Sequence, residues 1–377
     1  MADPHIHHVN LQPIIGGGEI YTRSLTRALA DAGARVTLYV HPSNALWDGL
    51  AGERISLVRV ADERGLLERL PAERSIVVTQ SPISTETVAE LARRHFVAGF
   101  AHMPMFQRSA EIFNVYHYAI TVSRYCVELL RAAGVKRVHP EPVYGIADLA
   151  RSSAPLLARS PYLWDRNKFR DVLLGALAPL AEGFRSRPAF ARRPGLTLGI
   201  VSLIAPIKQL PQLFSIVTPH IARHPEVRLE IFGEGGYAQV RDLRRALAPL
   251  GERARFWGFQ ANVAAIYPEL DYLMTGLPEK EALGQNAIEA QAAGTPVLAP
   301  NAPPFTETVL DGKGGFLYRD PREDGGADFA RLLEAIVAGR PRPDPRAAKE
   351  HLATFGYPAL VERARRLLDR LDRLSRP

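Results

Sequence analysis

Short runs rich in β-branched and aromatic residues alternate with helical patterns along this chain, and they do so in two separate blocks. The first block reads "HIHHVNL", "GEIYTRSLTRALADAG", "RVTLYV", "RISLVRV", "RSIVVTQ", "ETVAELARRH", "FVAGFAH" and "YAITVS". The rhythm resumes at "LTLGIVSL" and continues through "VRLEIFGEG", "ARFWGF", "LDYLMTG", "QNAIEAQAAG", "TPVLAP" and "GGFLYRD". Apolar runs separated by amphipathic segments build βαβ units, whose strands lie parallel with helices on both faces. Each block therefore predicts one Rossmann-like α/β domain, and a length of 377 residues suits two cores better than one.

The expected boundaries are a first domain over residues 1–150, a linker over 151–194, a second domain over 195–355 and a C-terminal helix over 356–377. The linker is rich in proline and arginine, and inside it Phe169, Leu173, Ala176, Leu177 and Leu180 recur at helical spacing. Such a helix either packs on its own protein or uses its basic flanks on an anionic membrane surface or an acceptor. The closing stretch "YPALVERARRLLDRLDRL" is a second amphipathic helix, expected to return and brace the first domain.

Composition narrows the partners. One cysteine, Cys126, leaves no internal disulfide framework and no Cys-rich metal site, so a reducing, cytoplasmic setting is expected. The N-terminal "MADPHIHHVNLQ" has no basic flank or apolar stretch of a signal peptide, and no run is long enough to span a bilayer. A net charge of +7 favours anionic partners, while the absence of basic runs interleaved with aromatics argues against nucleic acid. The "HIHH" stretch alternates His5 and His7 against His8 on a strand, which is an ordinary strand end rather than a metal site.

The segment with most chemistry is "EALGQNAIEAQAAGTPV", Glu281 to Val297. "LPEKEALG" is loop-like, and a helix is expected from Gln285 or Asn286 to Gly294, a C′ glycine followed by Pro296. Glu281 then lies on the loop and Glu289 on the helix. Free N–H groups and a partial positive charge make a helix N-terminus a phosphate site. Carboxylates beside it serve best as acceptors for hydroxyls, sugar hydroxyls for one acid and ribose hydroxyls for the other. The small residues Ala287, Ala290, Ala292 and Ala293 let the helix approach the sheet closely.

In its surrounding residues, this stretch resembles the nucleotide-sugar motif of the retaining glycosyltransferases of the GT-B fold, the large sequence family four. "GGGEIYTRSLTRALADAGARVTLYV" is similar to that family's glycine loop, with Gly17, Gly18 and Glu19 at the turn into the helix. It lacks the third glycine and the acid of a dinucleotide fingerprint. A tight turn would also explain the glycines. "FVAGFAHMP" puts His102 at a strand end, where the family carries a histidine near the transferring sugar and where a lone histidine can equally be structural. "LGIVSLIAPIKQL" matches the loop that in the family carries an arginine and then a lysine on the diphosphate. Lys208 fits the lysine, but Leu203 stands at the arginine position. "VYGIADL" replaces the family's "N-G-V-D" turn, with Tyr144 for the Asn and Asp148 displaced by one residue. "VRLEIFGEGG" supplies Gly233 and Gly235, and "TETVLDGKGGFLY" supplies Glu307 and Asp311, which read as turn formers.

The resemblance is continuous from about Leu198 to Arg319 and patchy from His5 to Ala147. It implies a GT-B architecture of two Rossmann-like domains facing a cleft, the first taking an unidentified acceptor and the second a nucleotide-sugar donor. It implies Glu289 on the ribose, Glu281 with Ala282, Leu283 and Gly284 on the donor sugar, and Gln285 and Asn286 at the diphosphate end. Lys208 and the glycines Gly17, Gly18 and Gly233 are implied donor contacts, with Glu281, Lys208 and His102 nearest the chemistry. No D-x-D occurs, so a metal-independent site without a cofactor is expected, the nucleotide sugar being a substrate. UDP-sugars are the first choice of donor and GDP-mannose the second, with a cell-surface glycan or glycolipid precursor as acceptor. Leu203 and the altered turn leave open a scaffold that binds nucleotide without transferring sugar.

Overall fold

The alternation of extended and helical segments produces two parallel sheets in this computed structural model, which describes residues 4–13, 15–80, 83–103, 109–147, 154–163 and 187–376. The chain divides into two units, Met1–Ala147 with Ala353–Pro377, and Asp148–Leu352. The first unit holds β1 (His5–Asn10), β2 (Arg35–Val40), β3 (Ile55–Arg59), β4 (Ile76–Thr79), β5 (Phe96–Ala101) and β6 (Tyr118–Thr121) in the order β3-β2-β1-β4-β5-β6. Its crossovers carry α1 (Gly17–Asp31), α2 (Glu63–Arg69), α3 (Thr85–Arg94) and α4 (Arg124–Ala132). β4, β5 and β6 are buried along their whole length, as a sheet covered on both faces requires.

Helix starts follow short polar side chains. Asp62 accepts from the Gly65 N–H at 2.8 Å at the head of α2, Ser84 from Thr87 at 3.3 Å at α3, and Ser123 from Cys126 at 3.1 Å at α4. Each occupies one of the amides that a helix cannot satisfy within its own first turn.

The second unit repeats the plan with β7 (Leu196–Val201), β8 (Val227–Phe232), β9 (Ala254–Gly258), β10 (Tyr272–Met274), β11 (Val297–Pro300) and β12 (Gly315–Tyr318), in the order β12-β11-β10-β7-β8-β9. Around it lie α5 (Leu210–Ala222), α6 (Tyr237–Leu247), α7 (Gln285–Ala292), α8 (Phe305–Thr308), α9 (Pro321–Asp324), α10 (Ala327–Val337) and α11 (Lys349–Ala353). Leu210, Leu213, Phe214, Val217 and Ile221 of α5 turn one helical stripe into the core beside Leu198, Ile200 and Ile231.

The amphipathic helix expected around Phe169 to Leu180 lies outside the described residues. Its described flanks pair with each other: Leu157 bridges Ala189, and the Phe190 N–H donates to the Leu156 carbonyl at 2.7 Å. They belong to the second unit, where Phe190 packs against Phe232 and Trp257.

The chain then returns to the first unit with α12 (Tyr357–Ser375), whose Leu360, Ala364, Leu367, Leu368 and Leu371 are buried. It packs along α1. Tyr357 donates to Asp31 at 2.6 Å, Arg366 bonds Glu141 at 3.0 Å, and the Arg363 guanidinium lies 4.8 Å over the Tyr144 ring. The return expected of the C-terminal helix is thus observed. Tyr144, at the altered turn, is a buried residue set edge-on to Phe355 at 5.1 Å; Asp148 lies outside the described residues.

Candidate functional site

In the second sheet the strand order reverses between β7 and β10. Connections on either side leave in opposite directions there, so a crevice opens beyond the carboxyl ends of these two strands. The loops around it carry the residues singled out from the sequence.

After β7 the chain makes a 3-10 turn, Pro206–Lys208, and then places Gln209 at φ 50, the only non-glycine positive φ among the described residues. After β10, Gly276 passes so close that a Cβ there would sit 2.3 Å from the Lys208 carbonyl oxygen, which explains the glycine. Two loops from strands far apart in sequence are thereby brought into backbone contact.

The Lys208 ammonium pairs with Glu281, whose side chain keeps only 12% of its surface exposed. The other carboxylate oxygen of Glu281 accepts from the N–H groups of Ala282 and Gly284, both at 3.2 Å. Burial alone would raise this pKa. Lys208 and the two amides outweigh that and hold the carboxyl below its usual range, so Glu281 is ionised.

Gly284 adopts φ 75 and starts α7, and no side chain caps this helix. A Cβ at Gly284 would meet the Phe305 ring at 2.8 Å. The Asn286 side chain donates to the Val201 carbonyl at 3.0 Å, pinning the helix start to the end of β7. Ala287 and Ala290 face the core and are fully buried, whereas Ala292 is exposed and takes no part in the close packing expected of it. One turn into α7, Glu289 accepts from the Tyr267 hydroxyl at 2.8 Å and from Gln285 at 3.5 Å. Burial pushes its pKa up to about 7 against those two hydrogen bonds.

Ala282, Leu283 and Gly284 are buried, and Gln285 and Asn286 are partly exposed at the helix start. Gly233, at the end of β8, has φ 153, and a Cβ there would lie 1.9 Å from the Ser202 carbonyl oxygen. The loop after β8 lies against the loop after β7, with the Ile204 N–H donating to the Glu234 backbone carbonyl at 2.8 Å. Leu203, at the family's arginine position, is 51% exposed. Asp311 accepts from the Leu317 N–H at 2.9 Å and so forms a turn, as read from the sequence.

The first sheet has its own reversal, between β1 and β4. Gly17 and Gly18 form the first turn of α1 with no positive φ, and a Cβ on either meets no described atom within 4 Å. Neither backbone strain nor internal packing requires glycine at these positions. His102 follows β5, bonded to the Gln80 side chain and ringed by Tyr21 at 5.2 Å and Phe100 at 5.6 Å. Burial lowers its pKa to about 4, so the imidazole is neutral near pH 7. Farther along, the His5 and His7 rings lie 4.4 Å apart at a tilt of 36°, while His8 bonds Thr26 on the opposite face. Among the described residues no cluster of three or more metal-ligating side chains occurs.

Sequence reasoning missed Tyr267, Gln209, Glu279 and Arg322 around this site. The last three connect to one another: Gln209 donates to Glu279 at 3.4 Å and Arg322 to Glu279 at 2.5 Å. Nothing in the local sequence of any of them marks the contact.

Residues 195–338 match the family model described as Glycosyl transferases group 1. D-inositol 3-phosphate glycosyltransferase of Mycolicibacterium vanbaalenii is 35% identical over 135 residues, which is 34% of this chain and 29% of the relative. The enzyme of that name from Rhodococcus opacus is 30% identical over 205 residues, 49% of this chain and 45% of the relative. The chain thus spans less than half the length of these curated relatives in the matched region. Among solved structures, Anabaena HepE in complex with UDP-glucose superposes with a TM-score of 0.67 at 16% identity, over 97% of this chain and 99% of that one. Sucrose-phosphate synthase from Thermosynechococcus elongatus gives 0.69 at 17% identity, over 99% and 100%. The chain has the GT-B fold, and residues 195–338, within its second unit, are similar to the group 1 glycosyl transferases.

Proposed function

We propose that this protein transfers a sugar from a nucleotide-sugar donor, with retention at the anomeric carbon and without a metal ion. The observation that carries the reading is the meeting of three groups at one switch point: the Lys208–Glu281 pair, the start of α7 with no side-chain cap, and Glu289 one turn inside it. Glu289 receives the ribose hydroxyls, in place of the Tyr267 and Gln285 bonds or beside them. Glu281, together with the backbone from Ala282 to Gly284, receives the hydroxyls of the sugar. Negative charge grows on the diphosphate as the glycosidic bond breaks, and the amides of α7 with Lys208 stabilise it.

Gly17 and Gly18 leave open space on the first unit, suited to a ligand that approaches the backbone closely. His102, being neutral, serves as a hydrogen-bonding contact to the sugar rather than as a proton source. The acceptor attacks from the face that the diphosphate leaves, and a phosphate oxygen takes its proton. UDP is the favoured nucleotide, supported by the UDP-glucose complex of Anabaena HepE, with GDP second. A cell-surface glycan or glycolipid precursor is the favoured acceptor, and contact with an anionic membrane would bring the enzyme to it. No helix among the described residues is long and apolar enough to cross a membrane.

A second reading, a nucleotide-binding scaffold without transfer, is favoured by one feature: an exposed Leu203 where the family holds a phosphate-binding arginine. Calorimetric titration of UDP, GDP and dTDP without divalent metal, repeated on Glu289→Ala, tests the main reading. One nucleotide should bind and lose about 1–3 kcal/mol of affinity in the variant, the cost of removing hydrogen bonds to a charged acceptor. No binding of any of the three to the wild type would defeat it, and binding without turnover of the matching nucleotide sugar would promote the scaffold.

A further inference from the structure

The donor loop is held at two points, only one of which lies in the family's pattern. Lys208 and Gln209 are neighbours on the loop after β7, and Glu279 and Glu281 lie two residues apart on the loop after β10. Lys208 reaches Glu281, while Gln209 reaches Glu279 at 3.4 Å. Arg322 then grips the same Glu279 oxygen at 2.5 Å from α9, the short helix after β12.

Arg322 is itself fixed. Its Nη2 bonds one Asp320 oxygen at 2.7 Å, and its Nε bonds both Asp320 oxygens, at 3.0 and 3.2 Å. This is the paired geometry that guanidinium and carboxylate groups favour. Asp320 caps α9 by accepting from the Arg322 N–H at 3.0 Å, so it cannot swing away without unwinding that turn. Exposure is modest along the whole strut, 30% for the Arg322 side chain, 26% for Glu279 and 10% for Asp320.

We propose that Arg322 is a positioning residue for donor-sugar recognition, bridging the end of β12 to Glu279 and thereby fixing where Glu281 meets the sugar. The inference rests on the donor-site reading given above. Only Lys280 separates Glu279 from Glu281, so an anchored Glu279 leaves few free dihedrals with which Glu281 could wander. The same strut holds Gln209, whose left-handed backbone is a conformation that persists only when its surroundings enforce it. Loosening Arg322 therefore frees the loop that presents Glu281 to the sugar, while the turn that presents Lys208 keeps its own bond from the Lys208 N–H to the Ala205 carbonyl at 3.0 Å. It leaves the ribose end intact, because Glu289, Tyr267 and the Asn286–Val201 bond share no partner with the strut.

The test is calorimetry on the full chain with UDP, UDP-glucose, GDP and GDP-mannose, comparing wild type, Arg322→Gln, Arg322→Lys, Glu279→Gln and the double variant Glu279→Gln/Arg322→Gln. For the base that wild type binds, Kd for the bare nucleotide should stay within about twofold in Arg322→Gln. The ratio of nucleotide-sugar to nucleotide Kd should rise about tenfold, an effect in the range of coupled hydrogen-bonded sites. Arg322→Lys should restore part of the ratio, and the double variant should be no worse than the Arg322→Gln single variant. An unchanged ratio overturns the proposal and leaves the donor reading standing. Parallel weakening of nucleotide and nucleotide sugar together with a fall in Tm shows a structural role and also overturns it. Wild-type protein that binds no nucleotide defeats the donor reading and this inference with it.

Discussion

Glu289 is a carboxyl group whose ionisation its surroundings oppose, with a pKa near 7 where an unfolded chain has an ordinary acidic one. The folded protein keeps this proton where the unfolded chain has already lost it. Its contribution to stability is therefore full below the ordinary carboxylate range and is lost as pH rises through about 7. Ribose hydroxyls donate best to the ionised form, so nucleotide affinity should increase about tenfold from pH 6 to pH 8, following the ionised fraction. Glu289→Gln should remove that share of the pH dependence and keep only the part due to the nucleotide's own phosphate. Calorimetry across the range checks it, and identical profiles for both proteins would count against the ribose assignment. At this scale Glu281 and Glu289 were legible because they share a spacing across one loop and one helix, and Lys208 because its own loop resembles the family's. Tyr267, Glu279 and Arg322 were not, since each meets its partner across separate loops through packing that leaves no periodic mark.

Elements carry a different kind of information. All twelve described strands correspond to apolar runs named from the sequence, because a strand buried on both faces is a continuous apolar stretch. Helices were less complete: α2, α5 and α6 were not singled out, although the parallel order demands a crossover at each, and neither was α10, which follows the last strand. Arg255, which nothing in its local sequence marks, clasps Glu230 with bonds of 2.6 to 3.0 Å. Glu230 is 1% exposed and also accepts from Trp257 at 2.7 Å and Arg193 at 3.2 Å. Arg255 continues to the Ala191 carbonyl at 3.2 Å, so this cluster sews the segment that leads into β7 onto β8 and β9. Replacing Glu230 by Gln should destabilise the second unit by about 3–5 kcal/mol, because two guanidinium groups lose their buried counter-charge. Urea unfolding followed by tryptophan fluorescence measures this, and a loss below about 1 kcal/mol would mean that solvent already compensates the arginines.

At the scale of the whole molecule, the first unit is assembled from both ends of the chain and the second from its middle. The amphipathic C-terminal helix was legible from its own pattern, and its return was expected with the GT-B architecture that the resemblance implies. Removing α12 uncovers a face built to receive five buried apolar side chains, Leu360, Ala364, Leu367, Leu368 and Leu371. At about 1.5–3 kcal/mol for each of the four leucines, the loss is comparable to the whole stability of an ordinary domain. The truncated protein should therefore lose its first-unit melting transition while the second unit still melts cooperatively, as differential scanning calorimetry would show; a single unshifted transition would refute it. The same arrangement imposes an order of events on the ribosome. The segment Asp148–Leu352 must be made before α12 exists, and at roughly 5–20 residues per second that is a delay on the order of 10–40 s. For that interval the nascent first unit offers an open greasy seam along α1, and its protection falls to chaperones until the last helix arrives.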